Sequence, residues 1–432
     1  MKVLIVSRGG SGLGVAHYLQ QEGNDVSVYI KDERLDRSGR GIVSRPTNWE
    51  RQVGESDLIL ADQTGWGRFE DSIRGSGRAF IGFSRYLDII EDDRELGMEL
   101  FQRLGITIPE TYPFKGIGDA RKVPSSMGWG DGWCIKASGR HGPETSRVVK
   151  DEELWERACE TMPEGCHGIV QRLVSGIEVS TEGWFNGREW VLPFNHTFEE
   201  KRFLSGGLGP NTGCQGNVVI NGGRGNRLVR ATVERLGSFL ERIDYRGPVD
   251  INAIVTPTEA YALEASSRFG YDAIEALLEG LEEPAAQMFL EVAEGTRDRM
   301  DLTDDTMIAV RLSIPPYPFR QPDHDTYGEP ITGINEDNIK HIFLSDVYKD
   351  NSGYKTAAGG GILLKASAIG RVERDKQSPN GRKYKPDYTY EARRRVYRTL
   401  GHINVRDKQY RDDIGERVNK DMAQLIEWGW LS

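Results

Sequence analysis

Two short stretches alternate apolar and oxygen-bearing residues: Val249-Asp250-Ile251-Asn252-Ala253-Ile254 and Tyr261-Ala262-Leu263-Glu264-Ala265-Ser266. On neighbouring antiparallel strands that alternation places Asp250, Asn252, Glu264 and Ser266 on one face and turns Ile251, Ala253, Leu263 and Ala265 to the other. Hard oxygen donors gathered on one surface suit Mg2+, which shares its octahedral ligands with phosphates. The same pattern also describes the solvated face of a half-buried sheet. Arg268 follows closely, a guanidinium fork matched to carboxylate or phosphate. Lys136 sits inside an apolar run, Trp133-Cys134-Ile135-Lys136-Ala137, where its ammonium needs an anionic partner or must snorkel out.

Two glycine-rich segments accompany these residues. Gly9-Gly10-Ser11-Gly12-Leu13-Gly14 joins a first strand to a helical stretch. Such a turn aims backbone amides and a positive helix end at an anion, or it is simply a tight strand-to-helix connection. Its spacing is not G-x-G-x-x-G, because position 15 is Val. The stretch 205–216 holds five Gly and one Pro in twelve positions, reads as a long loop, and is too special for a simple connector.

The elements that position these groups follow from periodicity. β-branched runs at 3–7, 25–30, 57–61 and 79–83 alternate with helical stretches, as in parallel α/β units. An amphipathic helix over 92–104, closed by Gly105, leads into a second unit. There, strands at 133–137 and 146–149 flank the polar turn Ser138-Gly139-Arg140-His141-Gly142, the place for a mobile lid. A helix at 151–162 and a strand at 168–174 come next, then a hairpin of 178–185 and 190–194 across Asn186-Gly187. A helix over 227–243 leads to the two strands of the oxygen-bearing face. Beyond 301 the pattern gives short strands, a polar insertion at 371–386 and a basic helix at 390–400.

The chain's 432 residues call for about three domains. A net charge of −10 excludes coating nucleic acid by bulk charge, and no apolar run approaches the ~20 residues that span a bilayer. Without a signal-peptide pattern a cytoplasmic protein is expected. Cys134, Cys159, Cys166 and Cys214 lack C-x-x-C spacing and read as free thiols.

Lys201-Arg202 followed by Gly209-Pro210-Asn211-Thr212-Gly213-Cys214-Gln215-Gly216 resembles the K-R and G-P-N-T-G-G-M-G signature of the phosphoribosylamine–glycine ligase family, within the ATP-grasp superfamily. Ile135-Lys136-Ala137 is similar to that family's Val-Lys-Ala, Gly176-Ile177-Glu178-Val179-Ser180 to its G-x-E-x-S, and Glu264-Ala265-Ser266-Ser267-Arg268-Phe269-Gly270 to its E-F-N-x-R-F-G. Pro315-Pro316-Tyr317-Pro318 and Tyr410-Arg411-Asp412-Asp413-Ile414-Gly415 continue the likeness to the C-terminal part.

The resemblance implies an α/β and α+β multidomain chain: a Rossmann-like N-terminal domain over 1–90, an ATP-grasp domain over 91–300 with its lid lobe at about 130–175, and a mixed C-terminal domain over 301–432. It implies ATP with Mg2+ or Mn2+, and a reaction that joins a carboxylate, glycine or another amino acid, to an amine through an acyl phosphate. Arg94, Lys136, Arg140, Gln171 and Glu178 are then expected to bind ATP. Glu264, with Asp250 or Asn252 and Ser266, would hold the metal. Arg268, Asn211 and Lys201 would act in catalysis, and Gly9, Gly10, Gly209, Pro210, Thr212 and Gly213 would hold substrate. The expected assembly is a monomer or homodimer, with no membrane or bulk nucleic-acid partner.

This sequence departs from the family in five places. Arg140 or His141 must supply the lid cation, Arg94 stands for a lysine, and Ser266 stands for the metal-binding Asn. Ser11-Gly12-Leu13-Gly14 and Asp62-Gln63-Thr64-Gly65 replace the stretches near the phosphoribosylamine. A paralogous ligase joining another amino acid or carboxylate to a different amine, a nucleotide-derived one included, and a catalytically degenerate nucleotide-binding module are the competing readings.

Overall fold

The computed structural model describes residues 1–139, 146–319, 326–372 and 386–431. The chain begins as a four-stranded parallel sheet, ordered Asp25–Ile30, Lys2–Ser7, Leu58–Ala61, Ala79–Ile81. Val3 to Val6 and Leu58 to Ala61 are buried throughout, because helices cover both faces of a parallel sheet. The helix Leu13–Gln21 follows the glycine turn and docks on the distant strand Ile342–Leu344, where Tyr18 stacks on Phe343 at 5.5 Å. Gly14 is required by that contact: a Cβ there would stand 2.8 Å from Phe343.

A second sheet is antiparallel, ordered Thr111–Phe114, Gly168–Arg172, Trp133–Ala137, Ser146–Val149. The large sheet has eight antiparallel strands in the order Ala260–Ser266, Arg246–Val255, Ile177–Asn186, Trp190–Arg202, Asn211–Gly223, Thr306–Ser313, Ile362–Gly370, Ile342–Leu344. The last three continue it past residue 300 without an edge. Thr306–Ser313 is buried along its whole length: Met307 and Ala309 meet the helix Ala273–Gly280 on one face, while Ile308 and Val310 meet the helix Tyr390–His402 on the other.

Several expectations need correction. The loop expected over 205–216 is cut short, since Asn211–Gly223 is a 13-residue strand paired with Trp190–Arg202 and, at 216–219, also with Thr306–Ser313. Pairing overrides the poor strand propensity of Asn and Gly, and Gly216 is needed there because a Cβ would lie 2.8 Å from the Ala309 carbonyl. The helix expected over 227–243 is three pieces, Arg227–Ala231, Val233–Leu236 and Gly237–Arg242, broken at Thr232, whose backbone leaves helical space and whose hydroxyl donates to the Leu228 carbonyl. The hairpin strand expected to end at 194 runs on to Arg202. The helices Arg85–Asp92, Ile117–Met127, Ala273–Gly280 and Ala285–Glu294 were not anticipated. Most of the expected lid turn and of the polar insertion lies outside the described residues. Cys134, Cys159, Cys166 and Cys214 are free thiols, as expected.

Candidate active site

The oxygen-bearing face forms as alternation requires. Asp250 pairs opposite Ser266 and Asn252 opposite Glu264, with a bulge immediately after that displaces Leu263 from the ladder. Into the bulge reaches Lys136 from the antiparallel four-stranded sheet, its Nζ 3.5 Å from the Leu263 carbonyl. Lys136 and Glu264 therefore meet across the junction of two sheets. The Lys136 side chain is buried, and burial lowers its pKa despite the attraction of Glu264.

Glu264 is the hub. Its Oε2 accepts from Arg94 Nη1 at 2.6 Å, and its Oε1 lies 3.8 Å from Lys201 Nζ. Burial alone would raise its pKa, yet Arg94, Lys201 and Lys136 together hold it far below the ordinary range. Arg94 opens the helix Arg94–Arg103, and its backbone amide donates to Ser138 Oγ at 3.0 Å, tying the helix to the base of the expected lid. Lys201 also pairs with Glu178 at 3.2 Å and Glu199 at 3.4 Å, and these carboxylates overcome the effect of burial to raise its pKa. Glu199 itself is pushed up to about 7, by burial first.

Asn252 Nδ2 donates to Glu178 Oε1 at 3.1 Å, which leaves Asn252 Oδ1 buried without a partner. Asp250 Oδ2 accepts from Ser180 Oγ, and burial raises its pKa to about 6. An orphaned amide oxygen beside a charged carboxylate fits a Mg2+ that takes its other ligands from phosphate and water. Asp250, already held by a hydroxyl, sits further along the same face.

The substrate-side expectations separate into two groups. Arg268 is gripped by Glu91, Nε to Oε1 at 2.9 Å, and its guanidinium lies 4.1 Å above the Tyr271 ring. Tyr271 in turn accepts from Gln63 at 3.1 Å, whose carbonyl accepts from the Gly9 amide at 2.7 Å. Gly213 borders the same ring, since a Cβ there would stand 3.8 Å from Tyr271. Gly9, Gly213 and Arg268 are thus brought together, and Asn211 and Pro210 are exposed nearby in sequence.

The others are spent internally. The Gly10 amide donates to Ser7 Oγ at 2.8 Å and the Gly12 amide to buried Asp62. The Gly209 amide donates to the Phe203 carbonyl at 2.7 Å, and Thr212 Oγ1 donates to the Lys201 carbonyl at 2.7 Å. The expected cradles of free backbone amides are therefore not what these glycines build, because side chains and carbonyls already satisfy them. Gln171 is almost fully buried and donates to Thr111 Oγ1 at 3.0 Å. Arg140 and His141 lie outside the described residues.

Glu91, Tyr271 and Glu199 were missed as site residues, and Gln63 was named only within the stretch from Asp62 that departs from the family. Glu199 shares a strand face with Lys201 by simple alternation, and that signal was available. The others are joined to the site only by tertiary packing.

No protein-family model matches the chain. A phosphoribosylamine–glycine ligase from Leifsonia xyli subsp. xyli is 27% identical over 368 residues, 81% of this chain and 81% of that one. The resemblance to phosphoribosylamine–glycine ligases spans most of both chains. The crystal structure of phosphoribosylamine–glycine ligase from Thermotoga maritima matches with a TM-score of 0.72 at 20% identity, covering 96% of this chain and 100% of that one. The biotin carboxylase domain of the Hydrogenobacter thermophilus 2-oxoglutarate carboxylase, crystallised with MgADP, matches with a TM-score of 0.60 at 13% identity, covering 94% of this chain and 91% of that one. The fold is mixed α/β with several sheets, like these neighbours.

Proposed function

We propose that the chain is an ATP-dependent, ADP-forming carboxylate–amine ligase of the phosphoribosylamine–glycine ligase type, using ATP and Mg2+. The observation that carries this is the meeting of Lys136, Arg94 and Lys201, from three separate elements, around Glu264 on a sheet face that also bears Asn252 and Asp250.

In this reading the segment 1–90 is the Rossmann-like domain, 91–300 the ATP-grasp domain with its lid lobe at about 130–175, and 301–432 a C-terminal domain. The γ-phosphate of ATP passes to the substrate carboxylate, giving an acyl phosphate and ADP; the amine then attacks that carbonyl, forming the amide and releasing phosphate. Lys136 and Arg94 neutralise phosphate oxygens; Arg140, expected to join them, lies outside the described residues. Glu178 accepts from the ribose hydroxyls, and Gln171 supports the nucleotide wall from behind. Glu264 and the free oxygen of Asn252 hold the metal, with Asp250 and Ser266 in reserve on the same face. When bound, the metal neutralises charge developing on the bridging phosphate oxygens. Lys201 keeps Glu264 and Glu178 ionised and oriented. Arg268 forks the substrate carboxylate by the Tyr271 ring that Gly213 borders, Asn211 acts with it, and Gly9, Gly10, Gly209, Pro210 and Thr212 shape the surrounding wall. The substrates are glycine and phosphoribosylamine.

The test is ADP release with Mg-ATP, glycine and phosphoribosylamine, against a panel of other amino acids. Turnover stimulated by that pair is expected. Stimulation by a different pair, or by none while nucleotide still raises the melting temperature, overturns the substrate assignment or the ligase reading respectively.

A further inference from the structure

Behind the substrate-side residues runs a buried polar chain, most of which the reading above does not use. Arg311, on the strand Thr306–Ser313, forks Asp272 with Nη2 to Oδ1 at 2.7 Å and Nε to Oδ2 at 3.0 Å. Both side chains are almost fully buried, at 5% and 0% exposure. Arg311 Nη1 also donates to the Tyr317 hydroxyl at 3.2 Å, and the same oxygen accepts from Gln215 Nε2 at 2.8 Å. Gln215 Nε2 lies 2.8 Å from Thr212 Oγ1, which donates to the Lys201 carbonyl.

Asp272 ends the segment carrying Arg268 and Tyr271, and its backbone is left-handed at φ 59°. Gln215 and Thr212 belong to the segment carrying Asn211 and Gly213. An ion pair buried this deeply is weak evidence for stability, since removing two charges from water offsets most of their attraction. What the bidentate fork supplies is geometry. Asn217 Nδ2, donating to the Tyr271 carbonyl, ties the two segments a second time.

We infer that Arg311 is a positioning residue: through Asp272 on one side and Tyr317 with Gln215 on the other, it sets the substrate-carboxylate segment Arg268–Asp272 in register with the glycine-rich strand. This rests on the ligase reading.

Arg311→Lys keeps the charge and loses the fork; Tyr317→Phe removes only the bridging hydroxyl and leaves the ion pair intact. In the full chain, both variants should lower kcat about tenfold or more and raise KM for the carboxylate substrate, with KM for ATP and nucleotide-induced thermal stabilisation unchanged. The ATP parameters separate positioning from a general loosening. Where Arg311→Lys fails to fold, Tyr317→Phe decides alone. Wild-type kcat in a folded Tyr317→Phe, or equal rises in KM for both substrates, overturns the inference while leaving the ligase reading intact. An unaltered chain that releases no ADP with any substrate pair overturns the reading and the inference with it.

Discussion

Glu264 carries two interactions that a glutamine cannot reproduce, a charged pair with Arg94 and the attraction of Lys201. The three side chains are mostly buried, at 33%, 25% and 31% exposure, so the pairs that hold the Glu264 carboxyl low also add stability at neutral pH. Glu264→Gln should cut ADP release by about 100-fold or more and lower the melting temperature at pH 7 by about 3 °C. A fall of ten degrees in scanning calorimetry would make Glu264 a structural strut. Glu182 offers the opposite case. Burial first, then the nearby Asp250, raises its pKa to about 7, and Asn195 donates to its Oε1 at 3.0 Å. The native state thus holds this proton more tightly than the unfolded chain does. Its contribution is full below the ordinary carboxylate range and is lost as pH rises toward 7. Glu182→Gln, which can still accept from Asn195, should be more stable than the parent at pH 8 by up to about 3 kcal/mol, and equal to it near pH 4. Melting curves across that window check the sign. At this scale the sequence was informative where alternation operates: Asp250, Asn252, Glu264 and Ser266 were placed on one face from spacing alone, and their observed pairing agrees. It gave no role to Glu91 or Tyr271 and named Gln63 only within a stretch that departs from the family; their partners depend on which loops fold against one another.

Among the elements, the strand pair that carries Lys136 depends on a glycine. Gly168 pairs with Ala137, and a Cβ added there would stand 2.1 Å from the Lys136 carbonyl. Gly168→Ala must push the two strands apart at the residue whose ammonium reaches Leu263. It should lower the melting temperature and raise KM for ATP several-fold, with KM for the carboxylate substrate unchanged. Equal effects on both substrates would show that the damage spreads beyond this sheet. Strands with clean punctuation were legible to the residue, among them Asp25–Ile30, Trp133–Ala137 and Ser146–Val149. Asn211–Gly223 was not, because glycine and asparagine announce a loop and only tertiary pairing, with Trp190–Arg202 and from Gly216 also with Thr306–Ser313, makes them a strand. The helix Ala273–Gly280 was missed for a different reason: it is only eight residues long, and its burial on nearly every side, Glu275 included, is decided by tertiary packing.

For the whole molecule, the eight-stranded sheet crosses residue 300, where the sequence pattern and the family resemblance place a domain boundary. Three of its strands and the helix Tyr390–His402 come from beyond that point, and they bury Val218, Ile308, Val310 and Leu364 in one core cluster. A chain truncated after residue 305 should expose that cluster and fail to give a cooperative melt, whereas a stable, monodisperse fragment would show that the boundary is one of folding as well as of sequence. The parallel sheet at the start, and its connection through a glycine turn, were read correctly from pattern; the docking of its first helix on Phe343, more than three hundred residues away, had no local signal.

That glycine turn has a last consequence. Gly9, Gly10 and Gly12 direct their amides at Gln63, Ser7 and Asp62. With these three donors engaged, the turn is a preformed contour that meets its surroundings by shape. A phosphate-bearing molecule settling beside it needs its charge met by other groups, since these amides have none to spare.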